Sequence, residues 1–192
     1  MSNVIVTGAA SGIGRACAEV LVDEGHQVAL WDIVPAVLDV AAELGMTGQI
    51  VDVTADLSDP VAIAAEALGG LSGLVHAAGR VAVEPLGAFT ADSWDAVVDV
   101  NLRAHALLVQ EMLPWLRSAT NASVVAISSI EGLAANPFIP AYCASKAGLK
   151  GLTRPLAAPP GPEGCRCTSI GPGSSTPALT PPPPTPHEAG PP

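Results

Sequence analysis

The sequence predicts an α/β fold, a doubly wound parallel sheet with helices on both faces. Three observations predict it. Short apolar runs alternate with longer stretches of helical periodicity as far as about residue 154. Hydrophobic residues make up 49% of the 192-residue chain and aromatics only 3%, the bias expected of parallel strands buried on both faces. A glycine-rich turn, Gly8 to Gly14, joins the first strand to the first helix, where backbone must approach backbone closely.

Taken in order, Asn3–Thr7 (NVIVT) reads as a buried strand, followed by a helix over Arg15–Glu24 that ends at Gly25. Val28–Trp31 is the second strand, Ala36–Leu44 a helix stopped by Gly45, and Gln49–Val51 the third strand. Asp59 is expected to cap the next helix, which runs to Leu68 with Pro60 at its first position. Leu74–Ala77 is the fourth strand, Asp92–Leu116 a long helix and Val124–Ile127 the fifth strand. A helix over Ala141–Leu152 and a sixth strand, Arg166–Ile170, complete the alternation.

The composition then changes. Of 19 prolines, 13 lie from Pro155 onward. Pro155, Pro159 and Pro160 are expected to interrupt any helix placed there, at about 3 kcal/mol each in a helix interior. The expected organisation is therefore one domain over residues 1–177 and a proline-rich tail over 178–192, extended or disordered. A ligand for aromatic-lined grooves is the other reading of that tail.

Bulk properties exclude several classes of function. A net charge of −10 leaves no basic stripe for nucleic acid and disfavours an anionic membrane surface. No apolar run approaches the roughly 18–20 residues that span a bilayer. Met1-Ser2-Asn3-Val4 lacks the basic start of a secretory signal, so a cytoplasmic location is expected. Cys17, Cys143, Cys165 and Cys167 form no CxxC pair and read as ordinary thiols, not as a metal site, with the last two on one face of a strand.

Thr7-Gly8-Ala9-Ala10-Ser11-Gly12-Ile13-Gly14 sits where strand gives way to helix. Glycines there permit a tight turn and let backbone amides approach a pyrophosphate. The spacing, GxxxGxG, also suits a plain loop-to-helix turn. Asp32 adds weight to the first reading: 18 residues after Gly14 and at the end of the second strand, its carboxylate is placed to accept hydrogen bonds from adenosine ribose hydroxyls. It would repel a ribose 2′-phosphate, and Ile33 beside it supplies no cation, so NAD is expected over NADP. Asp52, with Val53 after it, is the expected partner of the adenine amino group.

Tyr142 and Lys146 stand four residues apart, hence on one helix face. A free phenol ionises only near pH ~10, and a neighbouring cation favours the phenolate. Ser129, at the end of the fifth strand, is placed to hydrogen-bond a substrate oxygen. A Tyr/Lys pair on a helix is, taken alone, usually a surface feature.

Together, Gly8, Gly12, Ile13, Gly14, Asp32, Ala77-Ala78-Gly79, Asn101, Ser128-Ser129, Tyr142/Lys146 and Pro172-Gly173 resemble, in order and spacing, the short-chain dehydrogenase/reductase family, over roughly residues 3–177. The resemblance implies a Rossmann-type sheet and reversible hydride transfer between NAD(H) and a secondary alcohol or ketone. It implies Tyr142 as general acid/base, Lys146 as holder of the nicotinamide ribose, Ser129 as the group that orients the substrate oxygen, and Asn101, mid-helix, as the residue that positions a relay water. Gly8, Ser11, Gly12, Ile13, Gly14, Asp32, Asp52, Val53, Ala78, Gly79, Tyr142, Lys146, Pro172 and Gly173 would hold the cofactor.

Three departures from the family pattern stand out. His76 occupies a position where the family usually has Asn; a satisfied buried group is the favoured reading, a contact on the adenosine side the other, and neither gives it a catalytic part. Prolines interrupt Leu152–Gly164, a segment that commonly forms the family's subunit interface, which weakens the expectation of a homo-oligomer. Pro172–Pro177 resembles the nicotinamide-contacting turn one residue short, and the substrate-covering segment and last strand of the family are not found after it. A truncated or frame-disrupted enzyme is expected on that ground, with an exposed sheet edge and a partial lid. The alternative to an active enzyme is a catalytically impaired nucleotide-binding protein. The loop Ile130–Pro140 is apolar and points to a moderately hydrophobic small-molecule substrate.

Overall fold

The computed structural model describes residues 1–134, 136–157 and 165–173. Its strands are β1 (Asn3–Thr7), β2 (Gln27–Asp32), β3 (Thr47–Ile50), β4 (Gly73–His76), β5 (Ser123–Ile127) and β6 (Arg166–Ile170). All pair in parallel, in the order β3-β2-β1-β4-β5-β6. The helices are α1 (Gly12–Asp23), α2 (Val37–Leu44), α3 (Ser58–Leu68), α4 (Ala91–Val98), α5 (Ala104–Ser118) and α6 (Pro140–Ala157). This is the doubly wound sheet the sequence predicts.

Alternation along β1 builds the two core layers. Ile5 points to one face, where it packs with Trp31, Leu74, Leu108 and Met112. Val4 and Val6 point to the other, with Ala18, Val28 and Leu30. Each Leu or Ile so buried contributes roughly 1.5–3 kcal/mol. From β1 the chain steps outward to β2 and β3, then returns to β4 on the opposite side of β1. The order therefore reverses between β1 and β4, and a crevice opens at their C-terminal ends, where Thr7 is in register with His76.

Five local expectations need correction. Asp59 does not cap α3: the helix starts at Ser58, and Asp56 Oδ1 accepts from the Ser58 amide (3.0 Å) and hydroxyl (2.8 Å). Pro60 is the third helical residue, still in the first turn where its missing N–H has no helical partner to lose. The helix expected over Asp92–Leu116 is broken into α4 and α5 by a π turn at Asp99–Arg103. The third strand is Thr47–Ile50, displaced toward the N-terminus from Gln49–Val51. Pro155 does not end α6, which continues to Ala157. Only the final turn lies beyond it, so the ring removes one hydrogen bond near an end that frays in any case.

The expectations for Pro159, Pro160, Ser174–Pro177 and the tail 178–192 fall outside the described residues. Within the described residues β3 and β6 are the sheet edges, and no helix is long and apolar enough to cross a membrane. Cys165, just before β6, and Cys167, within it, have their sulfurs 3.9 Å apart; all four cysteines are free, and no group of metal-ligating side chains forms among the described residues.

Candidate active site

The crevice begins at the glycine turn. Gly8 has φ +69°, and a Cβ there would stand 2.8 Å from the Ala78 nitrogen. A Cβ on Gly14 would overlap the Gly8 carbonyl oxygen. These two glycines let the turn lie against the end of β4. Gly12, at φ +55°, differs: a Cβ there would meet nothing within 4 Å. The Ser11 side chain makes no capping bond to α1, and no acidic residue stands in the helix's first turn. The positive end of α1 is thus left open to the crevice.

A cleft of about 480 Å³ lies in front of this turn. Gly8, Ser11, Gly12, Ile13, Gly14, Asp32, Asp52, Val53, Ala78 and Gly79 all line it. Asp32 is fixed at its edge, with Oδ2 accepting from the Ala10 amide (3.0 Å) and Oδ1 from the Val34 amide (3.1 Å). Asp52 Oδ1 accepts from the Thr54 amide and hydroxyl, which holds its carboxyl below the usual carboxylate range. No lysine or arginine is among the described residues lining this cleft. Arg15, on α1, is turned away to Glu19 and Glu43, each at 2.8 Å.

A second cleft, about 490 Å³, shares Ile13, Ala77 and Gly79 with the first. Ser129, Tyr142, Lys146, Pro172 and Gly173 line it. Lys146 is 4% exposed; its Nζ donates to the Ile127 carbonyl at 2.7 Å and lies 5.4 Å from the centre of the Tyr142 ring. Burial pulls its pKa down to about 8. Ser128 Oγ donates to the Lys146 carbonyl (2.8 Å) and so ties α6 to the end of β5. The turn after Ser129 lies directly on α6, since a Cβ at Gly132 would stand 2.9 Å from the Lys146 carbonyl carbon.

Asn101 lies in the π turn, fully buried. Its Oδ1 accepts from the Arg80 amide at 2.7 Å, and its Nδ2 donates to the Arg80 carbonyl and to Ser145 Oγ, both at 2.9 Å. Both amide donors are therefore used on protein groups. Oδ1 keeps a second lone pair beside the one used on the Arg80 amide.

The family model for short chain dehydrogenase matches residues 2–182. This chain belongs to the short chain dehydrogenase family. A probable galactose dehydrogenase of Rhizobium meliloti (strain 1021) is 38% identical over 181 residues, 88% of this chain and 70% of that protein. A 2-dehydro-3-deoxy-L-rhamnonate dehydrogenase (NAD(+)) of Sphingomonas sp. (strain SKA58) is 36% identical over 160 residues, 79% of this chain and 63% of that one. The structure of a Thermus thermophilus protein superposes with a TM-score of 0.84 at 35% identity, covering 90% of this chain and 76% of that one. The chain is an oxidoreductase of a family that uses nicotinamide cofactors.

In this short chain dehydrogenase His76 is the satisfied buried group the sequence suggests. Its Nδ1 faces Thr7 Oγ1 at 3.0 Å and its Nε2 faces the Val100 carbonyl at 3.1 Å. A carbonyl only accepts, so Nε2 carries the proton and Nδ1 accepts from the Thr7 hydroxyl. Burial, with His105 and Lys146 nearby, pushes the ring's pKa down to about 3.

Thr7, Arg80, Glu131 and Ser145 escaped the sequence reading. Thr7 Oγ1 accepts from the Ala78 amide (3.1 Å) and so fixes the floor between the two clefts. Ser145 Oγ donates to the Tyr142 carbonyl (2.8 Å) while accepting from Asn101, which couples α6 to the π turn. A signal for it was present: three residues after Tyr142, it shares that residue's helix face. Arg80 and Glu131 line the second cleft, and no spacing in the sequence announced them.

Proposed function

We propose that this short chain dehydrogenase is an NAD(H)-dependent oxidoreductase that moves a hydride between nicotinamide and a secondary alcohol or ketone, with Tyr142 as general acid/base. One observation carries the reading. Tyr142 and the buried Lys146 lie one turn apart on α6, in a cleft that opens into the one formed by the glycine turn.

The residues present fit a dinucleotide. Gly12 leaves open space where a side chain would stand, and the uncapped start of α1 offers amides to a pyrophosphate. Asp32 is held as an acceptor for ribose hydroxyls, and the cleft has two carboxylates and, among the described residues, no cation to meet a 2′-phosphate. These features support NAD over NADP. The relative whose name carries NAD(+) is in keeping with this.

The nicotinamide, when bound, supplies or receives the hydride. Tyr142 Oη exchanges a proton with the substrate oxygen, which Ser129 Oγ orients from the end of β5. The Lys146 ammonium provides the positive charge against which negative charge develops on the phenol oxygen. Lys146 would also hold the nicotinamide ribose, with Pro172 and Gly173 lining the same cleft. Asn101 and Ser145 keep the π turn and α6 in register.

Titration of the 192-residue chain with NADH and NADPH tests the cofactor, and turnover of secondary alcohols by wild type and Tyr142→Phe tests the chemistry. Tight NADH binding, weak NADPH binding and an activity that Tyr142→Phe removes are expected. Equal turnover by the two proteins would refute the part given to Tyr142.

A further inference from the structure

The second cleft holds two opposite charges that the proposed chemistry leaves unused. Arg80 follows Gly79 at the end of β4, exposed, with its backbone held on both sides by Asn101. Glu131 is half-buried in the turn after Ser129, where its amide donates to Ser129 Oγ at 3.2 Å. Both line the cleft with Tyr142 and Lys146, yet neither forms an ion pair among the described residues. Glu131 Oε1 accepts from Asn136 Nδ2 at 3.3 Å, which orients the carboxylate and leaves Oε2 without a donor among the described residues.

A substrate in this cleft therefore meets an acceptor that wants donors and a donor that wants acceptors. A 2-hydroxy acid would satisfy Arg80 and be repelled by Glu131, which is the less solvated of the two. An amino alcohol would do the reverse, and Lys146 nearby would repel it further. Hydroxyl groups both donate and accept without net charge. Several on one carbon frame satisfy both groups, while the C–H faces of the frame pack on Val81 and Ile130. We propose that Arg80 and Glu131 select a neutral polyhydroxylated alcohol, such as a sugar or polyol, with Glu131 accepting from a hydroxyl beyond the one oxidised, in place of the moderately hydrophobic substrate that the apolar loop Ile130–Pro140 suggests. The proposal rests on the reading of Tyr142 as the acid/base.

The test compares kcat/KM for the best of galactose, sorbitol and myo-inositol with kcat/KM for cyclohexanol and for lactate. Wild type, Glu131→Leu, Glu131→Gln and Tyr142→Phe are assayed as full chains, with NADH binding measured on each. The expected result is a polyol preferred over lactate, and a polyol-to-cyclohexanol ratio that falls about tenfold or more in Glu131→Leu, mainly through KM. Glu131→Gln, which keeps an acceptor, falls between the two. A ratio unchanged by Glu131→Leu, lactate as the best substrate of wild type, or no polyol turned over overturns the proposal. Tyr142→Phe separates the two levels: if it is inactive the acid/base reading stands whatever the ratio does, and if it matches wild type that reading falls.

Discussion

Arg80 and Asn101 are joined by two hydrogen bonds that run in opposite directions, amide to Oδ1 at 2.7 Å and Nδ2 to carbonyl at 2.9 Å. A side-chain amide thus takes the place of a neighbouring strand for one peptide just past the end of β4. The pairing sets where the wall of both clefts runs, because Gly79 stands immediately before it.

Asn101→Leu would leave the Arg80 amide and carbonyl and Ser145 Oγ with lost partners. Each unsatisfied group costs about 1–3 kcal/mol where water cannot replace the bond. Arg80 is exposed and recovers part of that from solvent, so a net loss of about 2–4 kcal/mol is expected by urea unfolding. Asn101→Asp keeps the acceptor for the Arg80 amide but turns an oxygen toward the Arg80 carbonyl, so it should be no better. Wild-type stability in either variant would contradict the geometry.

The glycine turn separates packing from binding. Gly8→Ala and Gly14→Ala drive a Cβ into backbone, against Ala78 and Gly8 respectively. Both should lose stability and NADH affinity together. Gly12→Ala meets open space, so its cost to folding is the left-handed strain alone, about 1–2 kcal/mol. Its new methyl points where the pyrophosphate is proposed to lie. Thermal unfolding and NADH titration on the same samples check this: Gly12→Ala should bind at least about tenfold more weakly while unfolding cooperatively.

Lys146 makes a prediction about alkaline pH. Its folded pKa is about 8, below the ordinary lysine value of 10.5, because burial penalises the ammonium. Between those values the unfolded chain binds the extra proton, so wild type gains stability as pH rises through that window. The buried charge costs most below about pH 8 and the cost is relieved by about pH 10.5, a total on the order of 3 kcal/mol. Lys146→Met lacks this dependence. Urea midpoints at pH 7.5 and 10 should therefore draw together or cross for the two proteins; parallel curves would mean that the ammonium is not penalised.

Much of this arrangement was legible because it is local. NVIVT and RCTSI lie between clear punctuation, and β1 and β6 have the boundaries those runs indicate. The residues of the first cleft follow from one turn and the ends of successive strands, and the glycine turn, Asp32 and Asp52 all line it. The π turn at Asp99–Arg103 was not legible, since its helical periodicity continues on either side and nothing in DVNLR breaks a helix. Asp59-Pro60 resembled a helix start more closely than Asp56-Leu57-Ser58, although the second carries the turn. Ser145, Arg80 and Glu131 matter through partners distant in sequence or through the cleft they face, and such relations are set only when β4, the π turn and α6 come together.

His76 and His105 predict sensitivity to acid. Their rings are 5.3 Å apart, tilted at 39°, and both are essentially buried. His76 is bound as a neutral ring between Thr7 and Val100, and His105 Nδ1 makes no hydrogen bond among the described residues. Burial lowers the pKa of His76 to about 3 and that of His105 to about 4, with Lys146 adding repulsion to each. An unfolded histidine takes up its proton near pH ~6.5. From there down to the folded values the unfolded chain holds more protons, so stability falls with pH by up to about 1.4 kcal/mol per unit for each ring. The contribution is intact above about pH 6.5 and is being lost by about pH 5. His76→Asn keeps a donor for Val100 and an acceptor for Thr7, and His105→Phe replaces the ring whose Nδ1 is unbonded. The double variant should then lose stability far less steeply than wild type between pH 7 and pH 5, read as urea midpoints at half-unit steps. An equally steep loss would show that other groups carry the acid sensitivity and that this buried pair is not held neutral.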